Sequence, residues 1–203
     1  CRTLEPRQHR LPLPAHCLGH GEALHPAPTC APVMSILETI AAARRRDVEE
    51  AKRAAPLEHL RARIGAEDFG EGAVISLLDR LRSEAGMAMA AEFKRASPSK
   101  GDIAIDLDAA EQAMTYASAG AAVVSVLTEP AWFKGSLEDI ERVRRKVAAI
   151  PNRPVILRKD FLVDPYQVVE ARAHGADSVC VAPGLGLSHR HVGRRPPPPP
   201  LAR

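Results

Sequence analysis

The sequence predicts an α/β fold in which parallel strands alternate with helices, and three observations lead to this prediction. Short apolar runs without helical period begin at residue 87, amphipathic stretches separate them, and Gly120 and Gly175 stand where two helices should end. The predicted strands are residues 87–93, 121–127, 154–157 and 178–182, and the helices between them are residues 107–118, 137–149 and 166–173. Apolar strands joined by helices form a parallel sheet that helices cover.

A helical segment precedes the first predicted strand. Ser35 and Glu38 have the spacing of a capping box, so a helix should begin here. Apolar residues at positions 36, 37, 40, 43 and 48 give it a stripe of helical period, and Pro56 ends it. Shorter helical patterns follow at residues 57–64 and 76–83. We therefore expect a helical extension over residues 34–86 and the strand region over residues 87–182.

Polar residues follow three of the strands at their carboxyl ends, and their distribution separates a barrel from an open sheet. They are Glu92, Lys94 and Arg95 after the first strand, Thr128 and Glu129 after the second, and Arg158, Lys159 and Asp160 after the third. Side chains alternate along a strand, so Glu92 and Lys94 should share a face. Groups pooled at several strand ends are typical of a (β/α)8 barrel, whereas a doubly wound sheet collects them at one switch point. The distribution therefore favours a (β/α)8 barrel.

The formal net charge of +3 comes from the two ends of the chain. Residues 1–33 and 183–203 contain seven arginines and two glutamates, whereas residues 34–182 contain 21 basic and 23 acidic side chains, a net charge of −2. The central region therefore lacks a basic track for a phosphate backbone, and we expect no nucleic-acid partner. An apolar content of 45% with 26% charged residues is typical of a globular chain, so we expect a cytoplasmic protein without a membrane partner.

The ends also differ from the centre in residue type. They hold 12 of the 18 prolines, and the five consecutive prolines near the carboxyl end would form polyproline II, a ligand of SH3-type domains. The amino-terminal end also contains Cys17, His20, His25 and Cys30. Their spacing would fit a tetrahedral zinc site. Such short motifs often match by chance. We expect residues 1–33 and 183–203 to be disordered, and the first of these to be a non-native leader, because Met34 stands directly before the first helix.

Three segments of the central region, in the same order along the chain, resemble indole-3-glycerol-phosphate synthase. Residues 91–101 (AEFKRASPSKG) are similar to the first strand and loop of that family, residues 125–129 (SVLTE) with 133–136 (FKGS) to its second, and residues 157–161 (LRKDF) with 164–167 (DPYQ) to its third. The resemblance covers about residues 35–181, and three motifs in the same order make it specific. It implies an enzyme of tryptophan biosynthesis.

The resemblance also implies a carboxy-lyase reaction. The family closes the ring of 1-(2-carboxyphenylamino)-1-deoxyribulose 5-phosphate with loss of carbon dioxide and water, and the resemblance implies no organic cofactor and no metal. By resemblance Lys159 is the general acid, Lys94 is a second catalytic and anchoring lysine, and Glu92 positions or activates them. A carboxylate near an ammonium favours the protonated form that a general acid needs.

Three further residues are expected to bind the substrate, which is a phosphorylated small molecule. By resemblance Ser97 and its loop would bind the anionic groups. Phe133 and Phe161 would pack on the anthranilate ring; the chain has seven aromatic residues, and two of them fall at these strand ends.

The family fold is a (β/α)8 TIM barrel, so the resemblance implies a barrel that is truncated after about four βα units, since the chain departs from the family pattern after Val181. The expected strands five to eight, with the general-base glutamate and later substrate-binding groups, are replaced by the arginine- and proline-rich tail. We expect a frame change near this point and self-association through the open sheet edges of a half barrel. Two functions stay open, a synthase and a catalytically inactive fragment with weak phosphate-anion binding. A zinc- or SH3-binding adaptor built from the ends is a third.

Overall fold

The computed structural model describes residues 34–66 and 74–181, in which three helices precede the first strand and helices alternate with strands from residue 109 onward. The helices are α1 (Ile36–Ala54), α2 (Leu57–Ala66), α3 (Leu77–Ser83), α4 (Ala109–Ser118), α5 (Leu137–Val147) and α6 (Tyr166–Ala173). The strands are β1 (Ala90–Phe93), β2 (Ala96–Ser97), β3 (Gly101–Asp102), β4 (Val123–Leu127), β5 (Val155–Lys159) and β6 (Ser178–Cys180).

The main sheet has the strand order β1-β4-β5-β6, and all three pairings are parallel. Its order follows the chain, and α4, α5 and α6 cross over between successive strands. One face of the sheet packs against all three helices in a single core, which includes Phe93, Val124, Val126 and Ile156 from the strands and Ala113, Ile140, Val143 and Ala171 from the helices. A doubly wound sheet would reverse its order and carry helices on both faces. The predicted α/β fold of barrel type is therefore confirmed.

The other face of the sheet is covered at its amino-terminal end by the segment before β1. Val123 and Val155 pack there against Ile75 and Leu77. At the carboxyl ends of the strands on this face Glu92 is exposed and Lys94 and Lys159 are half-buried, while Leu127 of the central strand β4 is buried.

Two local signals in the sequence are confirmed by the backbone. Ser35 and Glu38 form the predicted capping box, with the Glu38 amide donating to Ser35 Oγ at 3.3 Å and the Ser35 amide to Glu38 Oε2 at 2.8 Å. Gly120 and Gly175 have φ angles of 86° and 93°, the left-handed conformation that glycine adopts most easily after a helix.

Other element details differ from the prediction. Ile36 and Leu37 were expected on the buried stripe of α1 but are 55% and 46% exposed, because the first turn lies beyond the packed part of the helix. Ile40 and Val48 are buried as predicted, and Ala41 and Arg44 are buried as well. The first strand begins at Ala90 rather than at residue 87, where Met87 is 97% exposed. The antiparallel pair β2–β3 was not predicted, since two-residue strands are too short to show alternation.

The zinc-type spacing at Cys17, His20, His25 and Cys30 and the polyproline tail lie outside the described residues. Within the described residues, no group of three His, Cys, Asp or Glu side chains could hold a metal ion. None of the helices in residues 34–66 and 74–181 is both long and apolar enough to cross a membrane.

Candidate active site at the carboxyl ends of the strands

The two predicted catalytic lysines lie in one row across the sheet. Phe93 pairs with Val126, so Lys94 is level with Leu127, which in turn pairs with Lys159. Lys94 and Lys159 are thus two strands apart, about 10 Å at the usual strand spacing. Because side chains alternate, both lie on the face opposite the helix-packed core. The structure brings the two predicted lysines to the same edge of the same face.

Glu92 pairs with Lys94. Lys94 Nζ lies 3.1 Å from Glu92 Oε1, and both side chains are about one-third exposed. The expectation that these residues share a face is confirmed. Among the described residues the half-buried Lys159 has no ion-pair partner, so the carboxylate contact serves Lys94 alone.

Ser97 lies in the β2–β3 hairpin that follows β1. Its Oγ accepts a hydrogen bond from the Lys100 amide at 3.2 Å, which holds the turn before Gly101 closed. Gly101 has a φ of 65°, a conformation in which any other residue would be strained. Ser97 is therefore presented on a short, fixed loop next to the end of β1.

Arg95 connects the end of β1 to the start of α5. Its guanidinium donates to both carboxylate oxygens of Asp139 at 2.5 and 2.9 Å, and it lies 5.0 Å from the centre of the Phe93 ring. The hydrogen bond from Arg95 to Asp139 raises the pKa of Arg95 above its ordinary value. The sequence marks Arg95 as a strand-end charge but gives no sign of this partner, which is 44 residues away.

The two predicted ring-binding residues form an aromatic pair. Phe133 follows β4 and Phe161 follows β5, and their ring centres are 6.0 Å apart at an angle of 42°. This geometry is within the range of favourable tilted aromatic contacts. Both residues are half-buried, so each ring keeps some accessible surface.

Glu129 fixes the backbone of the loop that carries Phe133. Its fully buried carboxylate accepts hydrogen bonds from the amides of Ala131 at 2.9 Å, Trp132 at 2.7 Å and Phe133 at 3.0 Å. The far end of the loop is closed by Gly135, whose amide donates to the Glu129 carbonyl at 3.0 Å. Sequence reasoning marked Glu129 as a polar strand end but did not assign it this role.

Gly135 packs so closely against the end of β4 that no side chain fits there. A Cβ at this position would lie 2.0 Å from the Leu127 carbonyl oxygen and 2.9 Å from the Cα of Thr128. The loop after β4 therefore requires glycine for close backbone approach rather than for an unusual φ angle.

Asp160 is the centre of a buried charge cluster directly after Lys159. Its carboxylate accepts from Arg44 Nε and an Arg44 terminal nitrogen at 3.1 and 3.0 Å, from Arg158 at 2.8 Å, from Thr128 Oγ1 at 2.7 Å and from the Phe161 amide at 2.8 Å. Burial opposes ionisation of Asp160, but the charges of the two arginines and the threonine hydroxyl outweigh it, so the pKa of Asp160 lies below its ordinary 3.8.

Arg158 extends this cluster to α6. It is completely buried and donates to Glu170 at 2.8 Å and to the Gln167 carbonyl at 3.0 Å. Two arginines and two carboxylates thus balance in charge behind the strand end that carries Lys159.

A cavity of about 240 Å³ lies between α1 and the start of α5. None of the predicted catalytic residues lines it; its walls include Arg44, Asp47, Thr128, Gly135, Ser136 and Glu170. The accessible strand edge, rather than this cavity, collects the residues that carry the predicted chemistry.

Comparison with known proteins finds one family and several relatives. The model of the family described as "Indole-3-glycerol phosphate synthase" matches residues 37–182. A "Multifunctional tryptophan biosynthesis protein" of Phanerodontia chrysosporium is 49% identical over 182 residues, which are 88% of this chain and 22% of that protein. A protein of the same name from Schizosaccharomyces pombe is 51% identical, over 71% of this chain and 19% of the relative.

An "Indole-3-glycerol phosphate synthase" of Beutenbergia cavernae is 48% identical over 150 residues, which are 72% of this chain and 51% of the relative. The chain therefore spans about a fifth of the multifunctional relatives and about half of this single-function one.

Proposed function

We propose that this chain, which belongs to the indole-3-glycerol phosphate synthase family, contributes the catalytic lysines and the aromatic subsite of a synthase that closes the indole ring. The observation that carries the proposal is the row of Lys94 and Lys159 at one accessible strand edge. The substrate is 1-(2-carboxyphenylamino)-1-deoxyribulose 5-phosphate, and the reaction releases carbon dioxide and water.

The proposed roles follow from the charges at the site. Lys159, without an ion-pair partner among the described residues, is the general acid that protonates the ribulose carbonyl and later the leaving hydroxyl. Lys94, held by Glu92 at 3.1 Å, anchors a negative group of the substrate. Glu92 keeps Lys94 in place through this contact.

The remaining roles concern substrate binding. Ser97, on the fixed β2–β3 turn, donates its hydroxyl hydrogen to an anionic group of the substrate. Phe133 and Phe161 pack on the anthranilate ring, since their tilted pair leaves part of each ring accessible. We propose no organic cofactor and no metal for this reaction.

A second candidate is a catalytically inactive chain that binds phosphorylated anions weakly. It is favoured because the chain matches about half of the single-function relative. Purified chain mixed with substrate separates the two: indole product fluorescence supports the synthase, whereas binding without turnover supports the second candidate.

The binding part of the proposal is tested by Lys159→Ala. Loss of the ammonium should weaken substrate binding, measured by calorimetry, about tenfold or more, because hydrogen bonds to charged groups are the strong ones. Lys146→Ala is the matched control, since Lys146 is an exposed lysine of α5 that pairs with Glu111 at 2.8 Å. Equal affinities of wild type and Lys159→Ala would contradict the assignment, and any turnover should disappear in the same variant.

We further propose the organisation and setting of the chain. Residues 34–86 form the helical extension and residues 87–182 the first half of the barrel, in a cytoplasmic protein with no nucleic-acid or membrane partner. β1 and β6 are the edges of the described sheet, and an unpaired edge invites a second chain, so we propose self-association there. A purely monomeric chain in sedimentation experiments would contradict that last point.

A further inference from the structure

Glu129 is a buried carboxylate whose hydrogen bonds within the described residues are all to backbone amides. The side chain is 0% exposed, and its two oxygens accept from three consecutive amides at 2.7–3.0 Å. Among the described residues no arginine, lysine or histidine pairs with it, in contrast to Asp160, which faces two arginines. Burying an unpaired carboxylate is costly. The three charge-assisted hydrogen bonds offset that cost, and their effect is to fix one short loop.

The loop that Glu129 fixes carries an aromatic ring of the site. The third amide in the set belongs to Phe133, so the backbone at that residue is held directly. Its ring meets Phe161, whose own amide donates to the Asp160 carboxylate at 2.8 Å. Each ring of the pair is therefore attached to a backbone amide that a buried carboxylate holds at the end of a strand.

We propose that Glu129 is a positioning residue that sets the place of the Phe133 ring and thereby the affinity of the site for an anthranilate ring. This inference rests on the proposed function for its ligand and on the structure alone for its mechanism. Glu129 is fully buried and holds the Phe133 amide, so it would act through Phe133.

Glu129→Gln tests the proposal with little change in shape. The amide keeps one acceptor oxygen, but its NH2 group replaces the other and points a donor at a backbone donor, whichever way it is turned. At least one of the three hydrogen bonds is lost, and the loop should relax. Glu138→Gln makes the same chemical change at an exposed position in the first turn of α5 and is the matched control.

Anthranilate binding to the 203-residue chain, measured by equilibrium dialysis, gives the first readout. Loss of one hydrogen bond to a charged group should weaken binding about tenfold in Glu129→Gln. Phe133→Leu should weaken it as well, and the double variant should be no weaker than Phe133→Leu, because both changes remove one contact. Independent, additive losses would show that Glu129 does not act through Phe133, and unchanged affinity in Glu129→Gln would overturn the proposal outright.

Amide hydrogen exchange gives a readout that needs no ligand. In the wild type the amides of Trp132 and Phe133 should exchange slowly although the loop is near the surface, and they should exchange faster in Glu129→Gln. Exchange in the wild type as fast as in an unstructured peptide would overturn the inference. If the wild type binds no anthranilate, the proposed function fails, and the exchange result still decides whether Glu129 holds the loop. If Glu129→Gln does not fold, hydrogen exchange is compared between the wild type and Glu129→Asp, whose shorter side chain should also lose amide contacts. Equal exchange rates at Trp132 and Phe133 in these two proteins would overturn the inference.

Discussion

Replacing Asp160 by asparagine is expected to destabilise the protein more than any single surface change. The substitution keeps the shape of the side chain and removes the charge that neutralises Arg44 and Arg158. Oδ1 accepts from Arg44 and from the Phe161 amide, and Oδ2 accepts from both arginines and from Thr128. Asparagine has one acceptor oxygen, so either orientation leaves at least two of these donors facing an NH2 group.

The size of the effect follows from burial. The Asp160 and Arg158 side chains are 0% exposed and that of Arg44 is 8% exposed, so the two arginines cannot regain water without disrupting the fold. Breaking a buried pair by removing one partner costs about 3–5 kcal/mol. That is a large part of the roughly 5–15 kcal/mol that stabilises a typical domain, and it should lower the melting temperature by about 6–20 °C.

Thermal and urea unfolding of the 203-residue chain measure this loss, with Asp47→Asn as the control. Asp47 pairs with the same Arg44 at 2.8 Å, but its side chain is 43% exposed. An exposed pair of this kind contributes about 0.2–1 kcal/mol. Similar destabilisation in the two variants would show that burial of the cluster does not determine its strength, and the reasoning would be wrong.

Two further predictions concern the loop after β4 and the pH dependence of folding. Gly135→Ala places a Cβ 2.0 Å from the Leu127 carbonyl oxygen, so the backbone must move; we expect a loss of about 3 kcal/mol or more in urea unfolding, and a loss below 1 kcal/mol would contradict the close approach. The folded-state pKa of Asp160 lies below 3.8. The ionised carboxylate therefore stabilises the folded protein fully above pH 3.8, and this stabilisation is lost as the pH falls through the lowered pKa. Acid titrations of unfolding should show a smaller step in Asp160→Asn than in the wild type.

The sequence could predict those features that depend on neighbouring residues. The capping box at Ser35 and the helix ends at Gly120 and Gly175 need only local backbone preferences, and the structure has all three. The row of Lys94 and Lys159 needs only strand alternation and the shared edge of a parallel sheet. Each of these is determined within a few residues or by the regular geometry of the sheet.

The residues that support the site depend on distant contacts and could not be found in this way. Arg44, Arg45 and Arg46 are identical neighbours, yet only Arg44 is buried. Arg44 pairs with Asp160, which lies 116 residues away in the sequence. Helical periodicity assigns apolar residues to the buried face and has no means to choose one of three arginines. Glu129 was visible as a strand-end carboxylate, but its three amide contacts depend on the path of the following loop.

The buried cluster makes the helical extension part of the support for the proposed catalytic edge. Arg44 is on α1, while Asp160 directly follows Lys159, so a contact between them ties the extension to the strand end that carries the proposed general acid. Tyr166 makes a second contact with the extension. Its hydroxyl group donates a hydrogen bond to the carbonyl oxygen of Ala55, the C-cap residue of α1, at 2.9 Å. The extension supplies none of the proposed catalytic residues, yet the charge that balances Asp160 comes partly from it. A change in how α1 packs should therefore alter the position of Lys159 before it alters any other residue of the proposed chemistry.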